Sequence, residues 1–263
     1  MKQLMLIGFG AMAEEVLAHM PAELVLRWVV VTERSRNRVR ALLPPSVAVV
    51  TRIAECTGKP DLVLECAGQP GVRAHGVDVL ARGWDLAVIS VGALADAELA
   101  DRLHAAAATG RSRLHALSGA VAGIDGLAAA REGGLDEVLY TSRKSPASWR
   151  GSAAEQMVCL DTIAEPYVFF RGSAREAALA FPANANVAAT IALAGLGLDK
   201  TRVQLMVDPG ISTNQHRIHA SGRFGEMNIE LCGMPLERNP KTSTLAALSV
   251  VRACRQAVSS VVI

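Results

Sequence analysis

The stretch Met5-Leu6-Ile7-Gly8-Phe9-Gly10-Ala11-Met12-Ala13 constrains the fold more than any other. An apolar strand ends at Gly8, a helix is expected from Ala11 to His19, and Gly8-x-Gly10-x-x-Ala13 stands between them. That spacing turns a strand into a helix over the pyrophosphate of a dinucleotide, and Ala in its last place is an admitted variant. Gly8 permits the tight turn, while Gly10 lacks the Cβ that would hold a phosphate off the backbone. Ala13 is small enough for helix and strand to pack closely. At the helix start, the N–H groups of Ala11 and Met12 present partial positive charge to an anion. Glycine-rich strand–helix turns also occur without ligands, so context decides. Here a second strand, Leu24 to Val31, follows, with Glu33 beyond it. Glu33 would accept hydrogen bonds from both ribose hydroxyls and favour NAD. Arg34 and Arg36 would instead hold the 2′-phosphate of NADP, and a solvated charged loop is the plain alternative. The cofactor expected is NAD or NADP.

After this turn the first half alternates strand and helix. Val47 to Val50, Leu62 to Leu64, Leu86 to Val91 and Leu114 to Leu117 read as strands, with helices from Pro70 to Arg82 and from Asp96 to Thr109. Alternation with short links predicts a doubly wound parallel sheet, a Rossmann domain. Its ligand edge would include Glu65-Cys66-Ala67-Gly68 and Ser90-Val91-Gly92. Cys66 there reads as a small wall residue, since no histidine adjoins it in sequence.

From Ser118 the pattern changes. The small-residue run Ser118-Gly119-Ala120-Val121-Ala122-Gly123 opens a helix and would either admit a flat ring or form a tight crossover. Val138 to Arg143 and Tyr167 to Arg171 read as strands, Lys144 to Arg150 as a basic loop, and Ser173-Ala174-Arg175-Glu176 as a capping box. Val203, Leu205 and Val207 share one strand face, as do Met227, Ile229 and Leu231. The expected architecture is α/β: a Rossmann sheet, then an α+β domain with a largely antiparallel sheet. The boundaries expected are 1–118 plus 241–263 for the dinucleotide-binding domain and 119–240 for a substrate and dimerisation domain.

Composition excludes several function classes. Of 263 residues, 27 are basic and 25 acidic, a net charge of +2 without a long block of one sign, which argues against a nucleic-acid groove or an anionic membrane surface. No stretch approaches the ~20 apolar residues of a membrane span, and the opening residues lack a signal-peptide pattern. A cytoplasmic protein is expected. Its five cysteines, Cys56, Cys66, Cys159, Cys232 and Cys254, are scattered and odd in number, which suits free thiols rather than a disulfide framework. With no histidine pair at ligand spacing on one face, no metal is expected.

One histidine stands out. His216, Ile218 and Ala220 point to one side of their strand, and Gln215, Arg217 and His219 to the other. A histidine on an apolar face is either a satisfied core residue or a functional one, titrating near ~6.5 unless its surroundings shift it.

The chain resembles the L-aspartate dehydrogenase family over essentially its whole length. The resemblance rests on Gly8 to Ala13, Leu117 to Gly123, Phe181-Pro182-Ala183-Asn184-Ala185-Asn186-Val187-Ala188-Ala189-Thr190, Asp208-Pro209-Gly210, Asn214 to Ile218, and Asn239-Pro240-Lys241-Thr242-Ser243. It implies NAD(P)-dependent oxidation of L-aspartate to iminoaspartate, which hydrolyses to oxaloacetate and ammonia or feeds NAD biosynthesis. It also implies that His216 is the active-site histidine, that Ala120 and Asn186 contact the nicotinamide nucleotide, and that the protein is a cytoplasmic homodimer. The substrate's two carboxylates need cations or hydroxyls: Lys241, Thr242 and Ser243 come first, Arg143 and Lys144 behind them, with surface charge or a helix cap as the plain alternative. Two other functions compete. One is a Rossmann reductase of the dihydrodipicolinate reductase type, whose histidine-rich segment is not found; the other is a non-catalytic NAD(P)-binding sensor.

Overall fold

The computed structural model describes residues 1–182, 186–237 and 239–263; the side chains of Pro240 and Lys241 also lie outside the described set. The chain forms two compact units, Met1–Leu117 with Ala247–Ile263, and Ser118–Ala246.

In the first unit, β1 (Lys2–Ile7), α1 (Ala11–Ala18), β2 (Leu24–Val30), α2 (Glu33–Leu42) and β3 (Ala48–Val50) form one half. The other half is β4 (Leu62–Glu65), α3 (Gln69–Ala81), β5 (Leu86–Val88), α4 (Ala97–Gly110) and β6 (Leu114–Ala116). The six strands run parallel in the order β3-β2-β1-β4-β5-β6. The order reverses between β1 and β4, and ligands of such sheets bind beyond the carboxyl ends of the strands at that reversal. Near-continuous burial along β1, β2 and β4 explains their apolar runs, since helices cover both faces.

Two local expectations differ from the structure. The charged segment after β2 is a helix, with Glu33 as its first residue. Only Val39 of α2 is buried, so the segment carries no apolar period to read. The strand expected from Leu86 to Val91 stops at Val88, and a 3₁₀ turn occupies Val91–Ala95.

The second unit opens with α5 (Ile124–Glu132), β7 (Leu135–Lys144), α6 (Pro146–Trp149), β8 (Tyr167–Ser173), α7 (Ala174–Ala180) and α8 (Asn186–Ala194). Then come β9 (Arg202–Val207), β10 (Asn214–Gly222), β11 (Gly225–Gly233), β12 (Pro235–Leu236), β13 (Asn239–Ser243) and α9 (Thr244–Val258). The main sheet has the order β11-β10-β7-β9-β8; β7 and β9 are parallel and the other neighbours antiparallel. Its two faces differ. One buries Val138, Tyr140, Ser142 and Lys144 of β7 with His216, Ile218 and Ala220 of β10. The opposite face is polar, with Arg217 bonded to Glu230 at 2.9 Å and His219 to Asn228 at 3.0 Å.

Ser173 and Glu176 form the expected capping box at the start of α7. The small-residue run also has a structural use: Gly123 has φ +71°, a left-handed backbone that favours glycine, and it lies against the Ile229 side chain of β11. The part of α9 in the first unit inserts Val250, Val251 and Cys254 into a core with Leu4, Leu6 and Val29.

Candidate active site

The glycine turn follows β1 directly. Gly8 has φ +92°, and a Cβ on it would meet Ala67 at 2.7 Å, so this glycine is required by the close approach of the loop after β4. Gly10 is different. It precedes α1 in extended backbone, and a Cβ on it would meet nothing within 4 Å. Open space over Gly10 is the cradle that a pyrophosphate needs and a side chain would fill. The first helical bond of α1 runs from Glu14 N–H to the Gly10 carbonyl, which leaves the N–H groups of Ala11 and Met12 outside the helix's own ladder. Arg38 of α2 donates to the Phe9 carbonyl at 3.2 Å and steadies the turn from the other side. Glu33 and Arg34 stand in the first turn of α2, exposed, and Arg36 reaches back to Glu33 at 3.6 Å. These residues fit NAD(P).

A buried carboxylate, which sequence reasoning did not single out, ties the neighbouring loops together. Glu65 ends β4 and accepts from Ala67 N–H at 2.7 Å, Ser90 N–H at 3.1 Å and Ser90 Oγ at 3.1 Å. Burial raises its pKa against those hydrogen bonds, the largest influence being desolvation. It links the loop touching Gly8 to Ser90, just beyond the end of β5. The signal was an acid at the end of an apolar strand.

In the second unit the structure groups several side chains on one sheet face. His216 is buried and its Nδ1 lies 2.7 Å from Tyr140 Oη, the two rings stacked 6.0 Å apart. Burial, and next the positive charge of Lys144, push the imidazole down to about 3. The ring is therefore neutral across the working range, its surroundings having shifted it from the ordinary ~6.5. Burial also raises the Tyr140 phenol, so it stays protonated. Lys144, expected in a basic loop, is instead the buried last residue of β7, with Nζ 5.1 Å from the centre of the Trp149 ring. Trp149 packs edge-on against Phe169 and Phe181, so a chain with few aromatics concentrates them beneath this lysine. Arg143, on the other face, pairs with the buried Asp208 and donates to Gln215 at 3.2 Å; Asp208 also accepts from Gly210 N–H at 2.7 Å. Alternation along β7 was the available signal for Tyr140 and Lys144, since even-numbered residues there share the face of His216.

The remaining candidates lie at several places in this unit. Ala120 is half-buried in the turn before α5. Asn186 is the first residue of α8, and residues 183–185 of the same motif fall outside the described set. Thr242 accepts from Asn239 at 2.9 Å. Ser243 Oγ is buried without a hydrogen-bond partner among the described residues, and a Cβ on Gly233, the β11 residue paired with Asn214, would lie 3.6 Å from it. The end of β13 thus lies beside the start of β10. Lys241 has backbone in β13, and its side chain is outside the described set.

Comparison with known proteins first defines the class. Residues 8–116 match the family described as homoserine dehydrogenase, NAD binding domain, which places the first unit among the nicotinamide-nucleotide domains of dehydrogenases. Residues 125–257 match aspartate dehydrogenase, C-terminal. An L-aspartate dehydrogenase of Acinetobacter baumannii is 58% identical over 261 residues, covering 99% of each chain. One from Serratia proteamaculans is 57% identical over 258 residues, covering 98% of each. The chain belongs to the L-aspartate dehydrogenase family. Among solved structures, the aspartate dehydrogenase of Thermotoga maritima shares its fold, with a TM-score of 0.77 at 22% identity, covering 100% of this chain and 99% of that one. A dihydrodipicolinate reductase from Paenisporosarcina shares the fold more distantly, with a TM-score of 0.52 at 12% identity over 98% of this chain and 94% of that one.

Proposed function

We propose that this chain oxidises L-aspartate to iminoaspartate with NAD(P), and that His216 is the histidine of its active site. Family membership over the whole chain carries the activity; the buried, partnered imidazole supports the residue. The first unit takes the dinucleotide, with Gly8 shaping the turn, and Gly10, Ala11 and Met12 meeting the pyrophosphate. Glu33 and Arg34 stand at the ribose. When bound, the nicotinamide supplies the acceptor for the hydride from Cα. Ala120 and Asn186 position that half of the cofactor, Asn186 through amide donors and an acceptor suited to a carboxamide or ribose. Ser243, Thr242 and Lys241 hold the substrate carboxylates, and the Ser243 hydroxyl, without a partner among the described residues, suits that task.

Tyr140 occupies Nδ1 of His216 and so orients the ring, leaving Nε2 for the substrate or for the water that attacks the imine. An imidazole held neutral positions the substrate or that water through a hydrogen bond at Nε2. The setting the resemblance implies is a cytoplasmic homodimer. Among the described residues no helix is long and apolar enough to cross a membrane.

A cofactor-reduction assay tests the activity, with NAD and NADP in parallel. L-Aspartate should turn over, and L-glutamate, L-alanine and L-malate far less; equal turnover of glutamate would sink the four-carbon assignment. His216→Asn, assayed beside it, should lower kcat by ~10²–10⁴-fold while NAD(P)H affinity holds. A core histidine would give the reverse, a lower melting temperature with native turnover per folded molecule.

A further inference from the structure

The sheet face that buries His216 also buries a lysine. Lys144 is only 8% exposed, and burial disfavours its charged form. Tyr140, Ser142 and Lys144 succeed one another on that face of β7, and His216 pairs with Ser142 across β10. The lysine therefore stands on the same side as the imidazole and close enough for its charge to be felt there. The titratable and charged groups facing it among the described residues are few. On its own strand there is Tyr140, and on β10 His216. At the end of β9, Asp208 receives Arg143 and the Gly210 N–H, while its own N–H donates to the Lys144 carbonyl at 2.9 Å. Neither α6 nor α8, the latter packed on β7, carries an ionisable side chain.

Aspartate arrives with its amine protonated, and an ammonium has no lone pair from which to form C=N. Some group must take that proton before the Cα–H bond breaks. The neutral His216 is a poor acceptor. We propose that Lys144, as the free amine, is the proton acceptor for the substrate's α-ammonium, an assignment that rests on placing the active site around His216. One N–H bond of the ammonium breaks and a new one forms at Nζ. The freed nitrogen lone pair then makes the C=N bond as hydride leaves Cα for the nicotinamide, giving protonated iminoaspartate. Lys144 afterwards returns its proton to solvent. Burial pushes the Lys144 ammonium down to about 8, so the neutral amine is accessible at working pH where an exposed lysine would hold its proton. The tuning fits the task, since a general base is most effective with a pKa near the operating pH.

The test is the pH profile of kcat/KM for L-aspartate oxidation in wild type, Lys144→Met and Lys144→Ala. Wild type should rise tenfold per pH unit up to a break near 8 and then level. Both variants should lose that break and fall by ~10²–10⁴-fold at pH 8. Added methylamine should restore activity to Lys144→Ala in proportion to its free-base concentration. A break near 8 that persists in Lys144→Met overturns the proposal, because it then belongs to another group or to the substrate. Preserved kcat with a raised KM overturns it too, making Lys144 a cation for a carboxylate. Failure of the active-site reading looks different: His216→Asn and both lysine variants would all turn over L-aspartate at the native rate.

Discussion

Gly8 and Gly10 stand two residues apart under different constraints. Gly8 is held by the fold, through its positive φ and the contact with Ala67, whereas Gly10 faces open space. Gly8→Ala should cost about 2 kcal/mol of stability, from left-handed strain and overpacking. Gly10→Val should leave the melting temperature close to wild type and weaken NAD(P)H at least about tenfold, or 1.4 kcal/mol. Paired thermal melts and NAD(P)H fluorescence titrations check both, and an unchanged affinity in Gly10→Val would remove that residue from the cofactor site. Lys144 makes a second prediction at this scale. Its folded value of about 8 lies below the ordinary 10.5, so the folded chain binds this proton more weakly than the unfolded one. The lysine's contribution is most favourable above about 10.5 and is lost as pH falls toward 8. Below that the deficit is constant, on the order of 3 kcal/mol. Lys144→Met should therefore be more stable than wild type in urea at pH 7, with the advantage fading toward pH 10.5. No gain at pH 7 would mean that folding does not weaken the hold of Lys144 on its proton.

At the scale of elements, local chemistry explains where several segments begin. The Ser173 hydroxyl accepts from Glu176 N–H at 3.2 Å, and Glu176 accepts from Ser173 N–H at 2.7 Å, satisfying two donors at the start of α7. Ser173→Ala should cost about 1 kcal/mol, read as a melting temperature lower by about 2–4 °C. A shift below experimental error would mean that packing on α8 alone holds the helix. This capping box was legible because its signal lies within four residues. So was the face of His216, because a strand's two-residue period sorts neighbours without reference to anything distant. The helix after β2 was not legible, since a helix with one buried residue leaves no period. Nor was the buried end of β7: Lys144 followed by Ser and Pro reads as a loop, and its burial depends on Trp149 and the aromatic rings packed behind it.

For the whole molecule, the proposed assembly is a homodimer. Size-exclusion chromatography with light scattering should give about twice the 27.7 kDa chain mass. A single-chain mass at assay concentrations would withdraw the homodimer. The Rossmann half was readable by itself, because parallel β–α units repeat a short-range pattern and the glycine turn lies within six residues of one strand end. The family, too, lay in contiguous motifs. Tertiary structure alone decided the protonation of the candidate site. The pKa of a side chain depends on what surrounds it in space, and Tyr140, Lys144 and His216 come together across β7 and β10 from positions more than seventy residues apart. Sequence placed a histidine on an apolar face; the folded sheet made that histidine neutral and put beside it a lysine that titrates near 8.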